Sequence, residues 1–151
     1  MAARILAVDD EHSIRKLVTV TLQNRGFEVD NAGDGEEALQ KVAANKPDLI
    51  VLDVMMPKMD GWEVRRRLKE DEATKNIPII FLTAVGQFES QLTGLESGLE
   101  DYLTKPFTPS ALADLVEGTL NPAKHDQLMK DRHKKEAKLR TIVDIMHRSH
   151  E

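Results

Sequence analysis

Acidic side chains stand at the ends of two apolar runs. Asp9, Asp10 and Glu11 follow Leu6-Ala7-Val8, and Asp53 follows Leu49-Ile50-Val51-Leu52. Thr83 ends the run Ile79-Ile80-Phe81-Leu82, and Lys105-Pro106 lies just beyond Tyr102-Leu103. If these run ends share one rim, Asp9, Asp10 and Asp53 crowd together. Two unit charges about 5 Å apart repel by roughly 3 kcal/mol at an effective dielectric of about 20. Such a cluster calls for a cation, and an all-oxygen ligand set favours a hard one, Mg²⁺ or Mn²⁺ in its place. Mg²⁺ keeps waters and commonly completes its shell with phosphate oxygen. A phosphoryl group fits the remaining pieces: Lys105 as a point charge, Thr83 as a hydroxyl donor, and a carboxylate as nucleophile. Asp53, at the end of the most apolar strand, is the candidate nucleophile.

The run ends meet only if the runs are neighbouring strands. Unbroken apolar runs at 6–8, 49–52 and 79–82 predict strands covered on both faces, as in a parallel sheet between helices. Phe27-Glu28-Val29-Asp30 alternates and Tyr102-Leu103 is short, so both read as edge strands. Helices fall between. Ile14, Leu17, Val18, Thr21 and Leu22 form one stripe, ended by Gly26. Asp34 and Glu37 resemble a capping box for a second helix with Leu39 and Val42. A third helix is expected over 62–70, with Val64 and Leu68 inward. A fourth holds Phe88, Leu92 and Leu95 and stops at Gly98. Thr108-Pro109 begins a fifth, carrying Leu112, Leu115, Val116 and Leu120. Alternating strands and helices predict an α/β doubly wound, flavodoxin-like five-stranded parallel sheet in the order 2-1-3-4-5, whose ligands bind at the carboxyl ends of the strands.

The 151 residues are 40% hydrophobic and 31% charged, in the range of one globular domain. No apolar stretch approaches the roughly 20 residues of a membrane span, and no signal peptide is legible. With no cysteine, disulfides and Cys-ligated zinc are excluded. The expected setting is soluble and cytoplasmic, with no membrane partner. Residues 121–151 carry 8 Lys+Arg against 5 Asp+Glu, whereas residues 1–120 carry 13 against 21. That shift, at Asn121-Pro122, divides a body, 1–120, from a helical extension, 121–151. Residues 123–148 lack Gly and Pro, and Leu139, Ile142, Val143 and Met146 form an apolar stripe, so a helical arm that zips to a second copy is expected. Folding back on the body, or linking to a further domain, are the other readings. Acids interspersed with the basic residues argue against a nucleic-acid arm. The tail histidines, His125, His133, His147 and His150, read as surface residues.

The segments Val8-Asp9-Asp10-Glu11, Leu52 through Gly61 (LDVMMPKMDG), Leu82-Thr83-Ala84 and Asp101 through Phe107 (DYLTKPF) resemble, in their order, the receiver domain of a two-component response regulator, of the chemotaxis type with a C-terminal helical extension. The resemblance covers about 80% of the chain, 120 of 151 residues. It implies a phosphoacceptor at Asp53, served by a sensor histidine kinase or phosphotransfer protein. It implies Mg²⁺ held by Asp10, Asp53 and the backbone carbonyl of Met55, with Asp9 acting through a water. Lys105 would pair with the phosphoryl group beside a cis bond to Pro106. Thr83 and Tyr102 would form a switch that repacks the surface of the fourth helix, fifth strand and fifth helix. Such a protein is a signalling switch, not an enzyme acting on others. The apolar Met55 and Val85 occupy two positions that influence dephosphorylation in the family, and imply a longer-lived phosphoryl state.

Plainer readings stand beside these. Asp9-Asp10 could cap the first helix, Asp53 and Thr83 could be solvated strand ends, Lys105 a solvent lysine, and Tyr102 sheet packing. Met55, Met56 and Met59 read as loop packing. Gly33-Asp34-Gly35-Glu36-Glu37-Ala38 matches the dinucleotide pattern G-x-G-x-x-A, with Asp53 20 residues after Gly33. It follows an edge-like strand, however, and its capping box already employs Asp34 and Glu37. A pseudo-receiver acting only as a scaffold is the third reading.

Overall fold

The computed structural model describes residues 2–84 and 100–121. The expected fourth helix with Phe88, Leu92 and Leu95, Val85, and the arm over 123–148 lie outside the described residues. Five parallel strands, β1 (Arg4–Val8), β2 (Glu28–Ala32), β3 (Leu49–Asp53), β4 (Ile79–Thr83) and β5 (Glu100–Thr104), form one sheet in the order β2-β1-β3-β4-β5. Between and after them run α1 (His12–Gln23), α2 (Gly35–Ala44), α3 (Gly61–Lys69) and α4 (Pro109–Leu120), the last being the fifth helix expected from the sequence.

Side-chain alternation splits each central strand between two layers. Leu6, Val8, Ile50, Leu52, Ile79 and Phe81 pack with Ala38 and Val42 of α2 and Val64 and Leu68 of α3. Ile5, Ala7, Leu49, Val51, Ile80 and Leu82 pack with Val18 and Leu22 of α1 and Leu112, Leu115 and Val116 of α4. All five residues of β3 and of β4 are buried, which is why those runs carry no polar alternation before their last residue. Burying each such aliphatic side chain contributes about 1.5–3 kcal/mol. A charge at Val51 would enter the α1/α4 layer without a partner. β2, an edge strand, buries only Ala32 fully and leaves Glu28 and Asp30 exposed.

The helix ends follow the expected chemistry, with exceptions. Asp34, Asp60 and Thr108 each accept a hydrogen bond from the backbone N–H three residues on, and Pro109 stands in the first turn of α4. Glu37 reaches back to the Gly33 N–H at 2.7 Å, one residue beyond the usual capping-box target. α1 departs from expectation. Its N-cap is Glu11, which makes no side-chain cap bond, so neither Asp9 nor Asp10 caps it. Its stripe is also narrower: Val18 and Leu22 are buried, whereas Leu17, on the flank, is 37% exposed. After α1 the chain turns through Gly26 at φ +90°, a conformation that favours glycine. β5 spans five residues rather than the short Tyr102-Leu103 core, because pairing with β4 extends it in both directions.

Candidate functional site

Register brings the strand ends together. Val8 pairs with Leu52, so Asp9 continues β1 beside Asp53, the last residue of β3. Asp53 pairs with Leu82, and Thr83 with Thr104, so Thr83 and Lys105 come next along the same rim. The Lys105 N–H donates to the Thr83 carbonyl at 2.8 Å, and the Lys105-Pro106 bond is cis.

Carboxylate oxygens of Asp9, Asp10 and Asp53 all lie within 4.8 Å of one another. Asp9 and Asp53 are buried and Asp10 is exposed. Asp9 is held on every side. Its N–H donates to Ala32 O, its carbonyl accepts from Arg15 Nη1 at 2.7 Å, and its carboxylate accepts from Glu11 N at 3.0 Å and Lys105 Nζ at 2.9 Å. Asp53 Oδ1 accepts from the Met55 N–H at 3.3 Å and stands 3.3 Å from Lys105 Nζ. Burial, then the charge of Asp9, pushes the Asp53 carboxyl up to about 7, against the opposing pull of Lys105. For Lys105, burial favours the neutral amine, but Asp9 and then Asp53 outweigh it and hold the ammonium above the ordinary lysine value. One ammonium therefore serves two buried acids, with a third acid at the solvent edge. This all-oxygen cluster fits a hard divalent cation.

Thr83 is buried, and its hydroxyl lies 3.3 Å from the Ala84 carbonyl. Tyr102 is partly buried against the layer that includes Phe81, its register partner. Burial and the neighbouring Asp101 push its phenol up. Met55 is 65% exposed, whereas Met56 and Met59 pack in the core, in keeping with a loop role rather than a methionine metal site.

Three features of the site were not assigned from sequence. Gly61 opens α3 so close to β3 that a Cβ there would lie 2.5 Å from the Asp53 carbonyl oxygen. Gly35 packs against Met59 and Val64, where a Cβ would meet Met59 Sδ at 2.9 Å. Arg15 reaches back to Asp9. A basic residue in the opening turns of a helix, where the dipole favours acids, was the one available signal. The two glycines of the dinucleotide-like pattern thus have packing roles. The Gly33 N–H is already taken by Glu37, and Asp34, Glu36 and Glu37 surround the α2 N-terminus with negative charge, opposing a pyrophosphate.

The family model for the response regulator receiver domain matches residues 5–117. This chain belongs to the response regulator receiver family. The receiver is 46% identical over 116 residues to the phosphate regulon transcriptional regulatory protein PhoB of Pseudomonas aeruginosa, covering 77% of this chain and 51% of that protein. It is 40% identical over 133 residues to the DNA-binding dual master transcriptional regulator RpaA of Synechocystis sp., covering 83% of this chain and 55% of that one. Among solved structures, chemotaxis response regulator CheY4 of Vibrio cholerae is 39% identical with a TM-score of 0.74, over 80% of this chain and 100% of that chain. The receiver domain of NtrX from Brucella abortus is 30% identical with a TM-score of 0.71, over 77% and 97%. The receiver spans about half the length of the curated relatives it matches, and those relatives are regulators. Its sheet order is the flavodoxin-like one predicted from sequence. No helix among the described residues is long and apolar enough to cross a membrane.

Proposed function

We propose that this receiver accepts a phosphoryl group on Asp53 from a sensor histidine kinase or phosphotransfer protein. The observation that best supports this reading is the reach of Lys105 Nζ to both Asp9 and Asp53 at the rim where the three carboxylates converge. Asp10, Asp53 and the Met55 carbonyl would hold Mg²⁺, or Mn²⁺, with Asp9 acting through a water. The bound cation would neutralise the acids and the incoming phosphoryl oxygens. The ionised Asp53 carboxylate attacks phosphorus; an O–P bond forms, the donor's N–P bond breaks, and the donor imidazole keeps the electron pair and takes a proton. Lys105 then turns from Asp9 towards the phosphoryl oxygens, and the Thr83 hydroxyl donates to one of them. Tyr102 follows Thr83, which alters the surface around β5 and α4 and so the affinity for a protein partner. On this reading the domain does chemistry only on itself, binds no nucleic acid itself, and pairs with a second copy through 123–148.

Intact mass after incubation with Mg²⁺ and a small acyl phosphate tests the proposal. Wild type should gain one phosphoryl group and Asp53→Asn none. No gain, or a gain surviving the substitution, rejects it. Removing 123–151 should reduce the solution mass to that of a monomer; an unchanged oligomer would reject the role of the arm.

A further inference from the structure

Arg15 lies six residues beyond Asp9, in the first half of α1, yet its guanidinium turns back onto the Asp9 main chain at 2.7 Å. Its other contact is a long one, 3.4 Å to His12 Nδ1, and it forms no ion pair with a carboxylate among the described residues. The cation is therefore committed to a carbonyl beside the acid cluster. The seat beneath it is Gly33: a Cβ there would lie 3.3 Å from Arg15 Nη1 and 3.7 Å from Cζ. The helix that delivers Arg15 is itself pinned to β2. Asn31 Nδ2 donates to Thr19 Oγ1 at 3.1 Å, and that hydroxyl donates to the Arg15 carbonyl at 2.7 Å.

We propose that Arg15, seated on Gly33, is a positioning residue for the acid cluster. Its grip on the Asp9 carbonyl sets the plane of the Asp9–Asp10 peptide, and so the direction in which the two carboxylates leave it. The Ala32 carbonyl holds the N–H side of Asp9, and Arg15 holds the carbonyl side. Without Arg15 the peptide can rotate. Asp10, which has no side-chain partner among the described residues, then loses its alignment with Asp53. The glycine at 33 thereby has a use at the site, as a flat seat for a guanidinium. The proposal rests on the reading of the cluster as a Mg²⁺ site.

Calorimetric titration of the full chain with Mg²⁺ tests it, alongside thermal unfolding in EDTA. Arg15→Met should weaken Mg²⁺ binding about tenfold, roughly 1.4 kcal/mol, and Arg15→Lys should recover part of the loss, since an ammonium still reaches a carbonyl. The phosphorylation rate should show a raised Mg²⁺ midpoint with an unchanged rate at saturating Mg²⁺. Gly33→Ala should move the midpoint in the same direction by less, and the double variant should be no weaker than Arg15→Met alone. Thr108→Ala, which removes the side-chain cap of α4 outside the acid cluster, should lower the melting temperature and leave the Mg²⁺ midpoint near wild type. If folded Arg15→Met binds Mg²⁺ like wild type, the proposal falls alone. If wild type binds no Mg²⁺, the reading of the site falls with it. An additive double variant would also overturn the proposed seat.

Discussion

Lys105 and Asp9, 96 residues apart in sequence, form an ion pair of 2.9 Å in which the carboxylate is only 2% exposed. The second acid, Asp53, stands slightly farther from the same nitrogen, at 3.3 Å. With no cation bound, the ammonium is the counter-charge for both.

Lys105→Met should therefore destabilise the protein in EDTA at pH 8 by about 3 kcal/mol, the usual result of leaving a buried charge unpaired. The sign follows from the raised lysine. Its contribution is fully present below the ordinary value of 10.5 and is lost only as pH rises through the higher folded value. Urea unfolding at pH 8 measures the loss. It should shrink at pH 5, where Asp53 is protonated in the variant. An equal loss at both pH values would contradict the shared counter-charge.

Asp53 should make the stability of the metal-free protein fall as pH rises. Its carboxyl is pushed from 3.8 up to about 7, so between those values the folded state holds a proton that the unfolded state has released. The unfolding free energy then declines across that window and levels off above it. Asp53→Asn should flatten the decline and be more stable than wild type at pH 8 in EDTA. Adding Mg²⁺ should flatten it in wild type alone. Melting temperatures from pH 5 to 8 provide the comparison.

Gly61→Ala should cost about 1–3 kcal/mol, because the new methyl meets main chain, Asp53 O at 2.5 Å and Val54 Cα at 3.0 Å, which cannot swing aside. Gly35→Ala should be milder. Its nearest neighbours are the Met59 and Val64 side chains, and Met59 is flexible. Chemical denaturation of both variants would rank them, and the reverse order would refute the assignment.

Thr108→Ala should lower stability by about 1 kcal/mol through loss of the bond from Ala111 N to Thr108 Oγ1. The Mg²⁺ affinity should stay at the wild-type value, since this cap lies outside the acid cluster. A changed affinity in calorimetry would show that α4 reaches the site.

The local patterns of the sequence carried most of the architecture. Unbroken apolar runs identify β1, β3 and β4 as central strands, since a strand buried on both faces has no place for alternating polar residues. Asp34 and Thr108 announce their helices because capping is satisfied within four residues. The order of the sheet, and with it the meeting of Asp9, Asp53, Thr83 and Lys105, followed from those runs. What the sequence left open concerns distances between elements. That Leu17 lies on the exposed flank of α1, that Glu11 takes the N-cap position of that helix without a side-chain cap bond, and that β5 extends over five residues depend on how neighbours press on each element. The contacts of Arg15 with Gly33, of Gly61 with Asp53, and of one ammonium with two acids were likewise decided by packing. Periodicity records which face of an element is buried. It carries no information on the few tenths of an ångström that separate a glycine seat from a clash, because these arise only when sheet register and helix docking fix one layer against another.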